Sequence, residues 1–491
     1  MKSNLICCLL FIIFNFVDQA QSQEIKEIKQ KSKGQIIFNE WVYENNYYYI
    51  LYNPNVIFKL DPAFNVVAEK KFTMSSNSEY WGRKYYLNDG IVVLTCAFRD
   101  GSVHGDFDYF PLSDIAGKQI KVFEINCRQI KSKYIKSFTK ISNDRSKFLM
   151  AALFKDKSDY YKLYFYVLDQ TMELLYTQVD SVLRYPSGNF EEELTFTNGG
   201  DIYFFDQEIQ KINGKKQCNM YLHSINSQGV LKNAFSIPDK FVSTSRLYDF
   251  NNQKLAFGFY SKQLDKGHEG LFVMKLSDEN LIPVIIPLEF EKDDRIAINE
   301  KSSIHPEKYL LPKDFRIQEV VETETDNFTI IAENITSMSV GSIEAGTNTS
   351  IGVNLDLLVM KVNLDGKLHW TTFIPKYQLH NKTSMGIYLL KNHSEVSIIL
   401  NDSPENDLLF KEGKLLKRYD GVSENSLFMY RISNEGVITR KNLGKPFGNP
   451  SRSVYINSIK EVDSNELILL NGDCHPKGNW GFVIGKFKYA D

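Results

Sequence analysis

Cysteine is scarce in this chain, and its spacing excludes two common classes of small domain. The 491 residues include 6 cysteines, two of which lie in the N-terminal apolar run. The other cysteines show no Cys-x-x-Cys spacing: Cys96, Cys127, Cys218 and Cys474. The sequence therefore indicates neither a disulfide framework nor a zinc ribbon. Their even number leaves disulfide pairs open in an exporting compartment without requiring any.

An excess of one charge and the short motifs of common enzyme classes are also missing. The formal net charge is −2 and the pI is near 6.5. This balance gives no electrostatic reason to expect nucleic acid or an anionic membrane surface as a partner. No phosphate loop, dinucleotide fingerprint, G-x-S-x-G elbow or H-E-x-x-H motif occurs. We therefore expect no cofactor and leave enzymatic activity open.

Long apolar runs are absent except near the start of the chain. Lys2 precedes the apolar run Leu5–Phe14, and Ala20-Gln21-Ser22 follows as a small-x-small cleavage site. This order is typical of a secretory signal peptide, and the run is too short to span a bilayer as a helix. The sequence predicts a signal peptide over residues 1–22 and an exported domain over 23–491, periplasmic or secreted. We expect no transmembrane segment in the mature chain.

Aromatic residues are abundant, and they point to β-structure. The chain has 34 Phe and 27 Tyr, and aromatic side chains favour strands. One short pattern recurs eight times: an apolar run, a polar or small residue, and a large apolar residue usually followed by Asp, Asn or Ser. The last apolar residues of the copies are Leu60, Ile125, Leu168, Ile225, Leu276, Val362, Ile432 and Phe487. Their spacing is too irregular for a solenoid.

A more uniformly apolar run precedes each copy, as expected of a strand buried on both faces. These runs are 47–52, 91–98, 148–154, 202–205, 255–260, 328–332, 396–400 and 467–470. A polar strand precedes each run, and a tight turn and another strand follow each copy except the eighth. The unit is therefore four antiparallel strands, a–b–c–d. We predict an all-β fold, a single β-propeller of eight four-stranded antiparallel blades.

Separate β-sandwiches and a ring of seven blades are the alternatives to this fold. A string of two or three β-sandwiches would need a linker about every 100 residues, and no Pro/Gly/Ser-rich stretch serves. Seven blades would result if the third unit were misread. The eighth copy ends at Phe487, which leaves that unit without a d strand, while residues 24–32 are otherwise unassigned. We therefore expect an N-terminal strand to complete the last blade and close the ring.

The predicted topology puts the a–b and c–d turns at one end of the ring, and the b–c and blade-to-blade connections at the other. The first class consists of short turns such as Asn45-Asn46 and Asn251-Asn252. The long segments all belong to the second class: 100–117, 261–270, 337–354, 402–425, 473–479 and the crossover 291–313. Since binding residues concentrate on long loops of rigid scaffolds, we expect a ligand at the second end.

Candidate ligand-facing residues follow from this assignment. The loop 100–108 supplies three carboxylates and a histidine, without the spacing of a calcium loop, so no metal is predicted. Other histidines and one tryptophan lie in further long segments. The candidates are Asp100, His104, Asp106, Asp108, His268, His305, His475 and Trp480.

The segment Val362-Asn363-Leu364-Asp365-Gly366-Lys367-Leu368-His369-Trp370 resembles the tryptophan-docking segment of pyrroloquinoline-quinone propellers. That family repeats the tryptophan from blade to blade, whereas this chain has it once, so the cofactor is not implied. With its Ala-Gln-Ser-Gln start, the whole chain is similar to exported β-propeller proteins of Gram-negative bacteria of uncharacterised type. This resemblance implies the fold and an exported location, and no specific enzyme family.

Two functions remain open at this point. The first is a binding or scaffold propeller that recognises a protein, peptide or glycan through its loop-rich face. The second is a propeller hydrolase or lyase that acts on polysaccharide or peptide, with acids and histidines gathered from several loops.

Overall fold

The fold was analysed in a computed structural model of the 491-residue chain. The structure describes residues 24–30, 41–44, 46–52, 56–71, 83–88, 90–99, 102–111, 118–126, 133–155, 160–182, 194–212, 215–237, 239–250, 253–263, 267–276, 283–290, 314–342, 347–379, 386–392, 395–412, 414, 416–417, 419, 426–445, 454, 456–463, 466–474 and 480–488. The predicted signal peptide, residues 1–22, lies outside these ranges. No helix in the ranges is long and apolar enough to cross a membrane.

The described residues form eight antiparallel sheets arranged as the blades of a β-propeller. The first strand among these residues is β1 (Glu24–Gln30). Blades 1 to 4 consist of β2 (Trp41–Glu44), β3 (Tyr47–Tyr52), β4 (Val56–Leu60) and β5 (Val66–Lys71); β6 (Arg83–Leu87), β7 (Gly90–Arg99), β8 (Ser102–Pro111) and β9 (Lys118–Asn126); β10 (Lys133–Ile141), β11 (Lys147–Lys155), β12 (Tyr161–Asp169) and β13 (Leu174–Val182); and β14 (Thr195–Phe196), β15 (Ile202–Ile212), β16 (Lys215–Asn226) and β17 (Gly229–Phe235).

Blades 5 to 8 follow the same order, with two local additions. Their strands are β18 (Phe241–Phe250), β19 (Gln253–Ser261), β20 (Gly270–Leu276) and β21 (Pro283–Glu289); β22 (Phe315–Glu324), β23 (Asn327–Ser342), β24 (Thr347–Asn363), β25 (Leu368–Ile374) and β26 (Gln378–Leu379); β27 (Tyr388–Asn392), β28 (Glu395–Asp402), β29 (Ser426–Ile432) and β30 (Ile438–Gly444), with helix α1 (Asn406–Lys411) between β28 and β29; and β31 (Lys460–Asp463), β32 (Glu466–Cys474) and β33 (Trp480–Lys488). In blade 8, β1 pairs antiparallel with β33, from Glu24 opposite Lys486 to Gln30 opposite Trp480.

Strand position within a blade explains the sequence pattern. In the b strand β11, every residue from Phe148 to Phe154 is buried, so both faces are apolar. In the d strand β13, the end next to the c–d turn is exposed and the remainder mostly alternates. A strand packed between two neighbouring sheets needs apolar side chains on both faces, whereas an outer strand needs them on one. The uniformly apolar runs of the sequence are therefore the b strands.

Within the described part of the chain, the buried apolar residues form seven clusters, each shared by two neighbouring blades. They join blades 8 and 1, 2 and 3, 3 and 4, 4 and 5, 5 and 6, 6 and 7, and 7 and 8. Between blades 1 and 2, the Tyr86 hydroxyl donates a hydrogen bond to the carbonyl of Tyr49. Every blade therefore packs against both of its neighbours around the ring.

The predicted all-β class and the eight blades are confirmed. The third unit is a complete sheet, β10 to β13, so the seven-blade alternative is wrong. A chain of separate sandwiches does not fit clusters that join consecutive blades. Every repeat copy lies on a c strand except the second, because Ile125 lies on β9, the d strand of blade 2. The misreading arose because the true c strand, β8, carries one serine, one histidine and two aspartates among its ten residues.

In the segment 362–370, which resembles a tryptophan-docking segment, the tryptophan contacts the next blade. Trp370 of β25 donates a hydrogen bond from Nε1 to the carbonyl of Asn434 in the c–d turn of blade 7, at 2.6 Å. Gly436 in the same turn has φ +80°, and a Cβ there would come within 2.7 Å of the Trp370 ring. The turn therefore needs glycine both for its backbone conformation and for the close approach of the indole.

Candidate functional site on the loop-bearing end

We call the end of the ring that carries the b–c and blade-to-blade connections the loop-bearing end. The connections at the opposite end are short, for example residues 45–46 in blade 1 and 227–228 in blade 4. At the loop-bearing end, the b–c connections span residues 262–269 in blade 5 and 403–425 in blade 7. The crossover 291–313 lies outside the described residues.

Two of the predicted long loops are instead strands, and these predictions were wrong. Most of the segment 100–117 is β8, joined to β7 by residues 100–101 alone, and most of 337–354 belongs to the hairpin β23–β24. Asp-Gly between alternating residues is the common signature of a two-residue hairpin turn, and Asp100-Gly101 matches it. Long strands thus extend from this end where we expected irregular loops.

The polar candidates of the first hairpin occupy regular positions of β8. Asp106 is paired in register with Thr95 and Lys121, and His104 with Ala97 and Glu124. His104, Asp106 and Asp108 lie at alternate positions of this strand. They are therefore neighbours within one sheet, whereas the sequence analysis expected a loop. Asp100 lies outside the described residues.

His268 is placed in the interior, which corrects its assignment as a ligand-facing residue. Its side chain is 0% exposed, and it stacks on Phe259 with 4.7 Å between ring centroids. Nε2 donates a hydrogen bond to the carbonyl of Phe315 at the start of β22, at 3.1 Å. Burial lowers the pKa of His268 from 6.5 to about 4, so the imidazole is neutral and joins blades 5 and 6.

The other candidates are not brought together by the described residues. His305 and His475 lie outside them. Trp480 is the first residue of β33, opposite Cys474 of β32 and Gln30 of β1. The hydrolase or lyase hypothesis depended on convergence of these groups, and of that set only the side chain of His268 is described.

Sequence analysis missed a buried polar network at this end, between blades 6 and 7. Two polar residues directly follow the apolar b-strand run in each of these blades: Glu333-Asn334 after 328–332, and Asn401-Asp402 after 396–400. All four side chains are buried. Paired polar residues at the same position of adjacent repeats were the available signal, because buried polar groups need partners that the fold must supply.

The blade 6 part of the network surrounds Lys376, which follows β25. Lys376 Nζ forms an ion pair with Glu333 and donates it a hydrogen bond, and Asn354 Nδ2 donates to Glu333 Oε1 at 3.1 Å. Asp356 Oδ1 accepts the backbone N–H of Lys376 at 3.1 Å. These contacts attach the segment after β25 to the base of the β23–β24 hairpin.

Side-chain amides carry the network across to blades 7 and 8. Gln378 Nε2 donates to the Asn401 carbonyl at 2.8 Å, and Asn401 Nδ2 donates to the Val454 carbonyl at 2.7 Å. The backbone N–H of Val454 returns a hydrogen bond to Asn401 Oδ1 at 3.3 Å. Both amide side chains are buried, so three consecutive blades are joined at this end by directional bonds.

The blade 7 part holds α1 against the blade. Arg440 of β30 contacts Asp402 at 3.1 Å from Nη2 to Oδ2, and its Nη1 donates to the Asn406 carbonyl at 2.6 Å. Asn406 Nδ2 donates to Asp402 Oδ1 at 2.6 Å. The guanidinium also lies over the Phe428 ring, 4.0 Å from its centroid. Burial raises the pKa of Asp402 from 3.8 to about 6, against the opposing effect of Arg440.

The charged groups of the network are shielded from solvent. Its role is therefore to hold the segments at the loop-bearing end in place. The ion pairs Lys376–Glu333 and Arg440–Asp402, together with their hydrogen bonds, restrict the segments that carry them. Two structured segments, the β23–β24 hairpin and the α1 segment, are thereby fixed side by side. Such preorganisation lowers the entropic cost of binding a partner.

No protein-family model matches this chain, and no curated protein matches it. Solved structures do match over nearly its whole length. BamB from Moraxella catarrhalis is 9% identical, covering 96% of this chain and 100% of that chain, with a TM-score of 0.36. Polysaccharide lyase Uly1 is 9% identical, covering 94% and 99%, with a TM-score of 0.40. The Nup133 β-propeller domain from Vanderwaltozyma polyspora is 8% identical, covering 96% and 98%, with a TM-score of 0.36.

Proposed function

We propose that this protein is an exported binding or scaffold propeller that holds a protein, peptide or glycan at its loop-bearing end. The observation that carries the proposal is the buried network, which fixes two structured segments side by side on that end. A rigid scaffold that presents fixed segments at one end is the usual construction of a recognition surface.

The length of the blade 6 hairpin supports the same function. The β23–β24 ladder continues from Ile335–Asn354 to Ser342–Thr347, beyond the level at which Glu333 joins the network. A hairpin of this length adds surface that the ring itself does not need for closure. It therefore extends the loop-bearing end that is available to a partner.

Binding by the full mature chain is tested with a glycan array and a displayed peptide library as probes. In the test variant, Asn-Gly replaces residues 337–352, which keeps the Thr336–Val353 pair and removes the hairpin tip. We expect the wild type to bind at least one probe, and the variant to lose at least tenfold in affinity. The matched control is Glu435→Gln in an exposed turn of the opposite end, which should bind as the wild type does.

Two outcomes would overturn the proposal. One is a blank array and library for a folded wild-type chain that turns over polysaccharide or peptide, which would favour the hydrolase or lyase. The other is a bound probe whose affinity changes with Glu435→Gln and not with the shortened hairpin.

We also propose that the chain is exported after cleavage at residues 20–22 and that β1 closes the ring in blade 8. The β1–β33 register and the cluster shared by blades 8 and 1 support closure. Cysteines placed at the paired positions Ile25 and Gly485 should form a disulfide under mild oxidation. A pair at Ile25 and Glu466 should not, because β33 lies between those strands. Equal cross-linking of both pairs would refute closure, and N-terminal sequencing of exported protein tests the cleavage.

A further inference from the structure

The outermost strand of each blade is a sheet edge, and β13 of blade 3 lacks the usual protection of such an edge. A sheet edge presents unpaired N–H and C=O groups to other chains, and proteins commonly block it with lysine, other charged residues or proline. Lysine, arginine or proline occurs in six outermost strands: β1, β5, β9, β17, β21 and β30. Neither β13 nor β25 contains any of them, and in β25 only the side chain of His369 is exposed. Among the described strands, β13 is therefore the edge most open to pairing.

One face of β13 is attached to blade 4 by alternate side chains. Gln178 Nε2 donates a hydrogen bond to the Asn226 carbonyl at 3.2 Å. Two residues further along the strand, Asp180 Oδ2 accepts a hydrogen bond from Nδ1 of the buried His223 at 2.5 Å. These bonds hold the strand in one position from that side, so its edge is preorganised for pairing.

The other face of β13 is exposed and symmetric in character. Thr177, Val179 and Ser181 are all exposed, and Val179 is exposed to 49%. The strand pairs with β12 in a regular ladder over Tyr176–Val182, and the one irregularity lies before Tyr176. Val179 is the midpoint of this regular segment, with a hydroxyl-bearing residue two positions away on each side. The segment can therefore pair with a copy of itself without a break in register.

We propose that β13 pairs antiparallel with β13 of a second copy of this chain, about a two-fold axis at Val179. In this register Val179 lies opposite Val179 of the second copy, and Thr177 lies opposite Ser181 of the second copy. Cross-strand pairs of β-branched and hydroxyl side chains stabilise antiparallel sheets. Asp180, the only charged residue of β13, lies opposite Gln178 of the second copy, so no like charges meet. Such a contact uses the same surface twice and closes at two copies.

The pairing fixes how the two rings are oriented. Each β13 runs from the c–d turn of blade 3 towards the loop-bearing end. Antiparallel strands run in opposite directions, so the two loop-bearing ends of the dimer face opposite ways. The contact lies on the circumference of each ring, and it covers neither loop-bearing end. The dimer therefore goes beyond the proposed function and does not depend on it.

Sedimentation velocity of the full mature chain, without any ligand, tests the pairing. We expect a monomer–dimer equilibrium at micromolar concentrations, because one pair of edge strands makes a small interface. Val179→Lys should weaken the dimer about tenfold or more, since two lysines then meet at the axis. Val179→Glu should do the same, and an equimolar mixture of the two variants should recover the dimer. The matched control is Val284→Lys, at a valine of the outermost strand β21 that is exposed to 57%, which should dimerise as the wild type does.

A wild type that stays monomeric across this concentration range would overturn the proposal. A dimer of unchanged strength in Val179→Lys would also overturn it, because the association would then use another surface. If the mixture of Lys and Glu variants associated no better than each variant alone, the two-fold register at Val179 would be wrong; recovery in the mixture also shows that both variants are folded. Because no ligand is present, a failure of the array and library experiment leaves these results standing.

Discussion

The neutral, buried imidazole of His268 makes the stability of blades 5 and 6 dependent on pH. His268 donates one hydrogen bond to the Phe315 carbonyl and stacks on Phe259. Protonation would place a positive charge on a fully buried ring, and burial disfavours the charged form. The substitution that tests this is His268→Gln, which keeps an N–H donor and does not titrate.

The magnitude follows from the two pKa values of the imidazole. In the unfolded chain it is near 6.5, and in the folded chain it is lowered to about 4. The unfolded state therefore binds more protons between these values, and stability is lost as the pH falls through 6.5. From pH 7.5 to pH 5.0 the loss is about 2 kcal/mol.

Titration of Asp402 changes the stability in the opposite direction, so it offsets part of this loss in the wild type. Its folded pKa of about 6 lies above the ordinary 3.8, so the folded state gains stability as the pH falls. Over the same pH interval the gain is about 1.4 kcal/mol. The comparison must therefore be made between variants at each pH.

Urea unfolding at pH 7.5 and pH 5.0, followed by tryptophan fluorescence, supplies that comparison. His268→Gln should cost stability at pH 7.5, and the difference from the wild type should shrink by about 2 kcal/mol at pH 5.0. His369→Gln, at an exposed histidine of β25, is the control and should leave the pH dependence unchanged. If wild type and His268→Gln lost stability in parallel on acidification, the neutral buried imidazole would be refuted.

Two further predictions concern the contacts between blades. Gly436→Ala should destabilise the chain by about 3 kcal/mol, because it adds left-handed backbone strain and a collision with the Trp370 ring. Gly444→Ala should cost only about 1 kcal/mol, because Gly444 has φ +90° but open space around it. Equal losses in urea unfolding would contradict the docking contact. Asn401→Ala should cost about 2 to 3 kcal/mol, because it leaves the buried N–H and carbonyl of Val454 without their partner. Asn434→Ala in an exposed turn, whose backbone carbonyl still accepts from Trp370, should cost under about 1 kcal/mol; a comparable loss there would show that the Asn401 bonds contribute little.

The sequence predicted the fold well because the signal repeats. A uniformly apolar run identifies a strand packed on both faces, and each predicted run coincides with a b strand. The blade 2 copy failed because β8 carries His104, Asp106 and Asp108 at alternate positions, a pattern that looks like a loop when its pairing is unknown. The Asp-Gly turn was the better guide there.

The candidate site was harder to predict, because its residues acquire their role through packing between blades. His268 is polar and follows a polar segment, so only the structure shows Phe259 stacked on its ring. Glu333 and Asp402 belong to strands that read as apolar, and their partners Lys376 and Arg440 follow 43 and 38 residues later. Pairings over such distances depend on blade geometry, which a single sequence does not contain.

The division of the core among pairs of neighbours bears on how this architecture can change in evolution. Each described apolar cluster is shared by two blades. The gain or loss of one blade by duplication or deletion would therefore also disturb the packing of the other blades. In a circle of eight, each neighbour is rotated by about 45°, and a ninth member would require about 40° at every junction. Each shared cluster would have to repack at once. Lengthening a hairpin changes none of those angles, which makes such outgrowths the easier route to new surface.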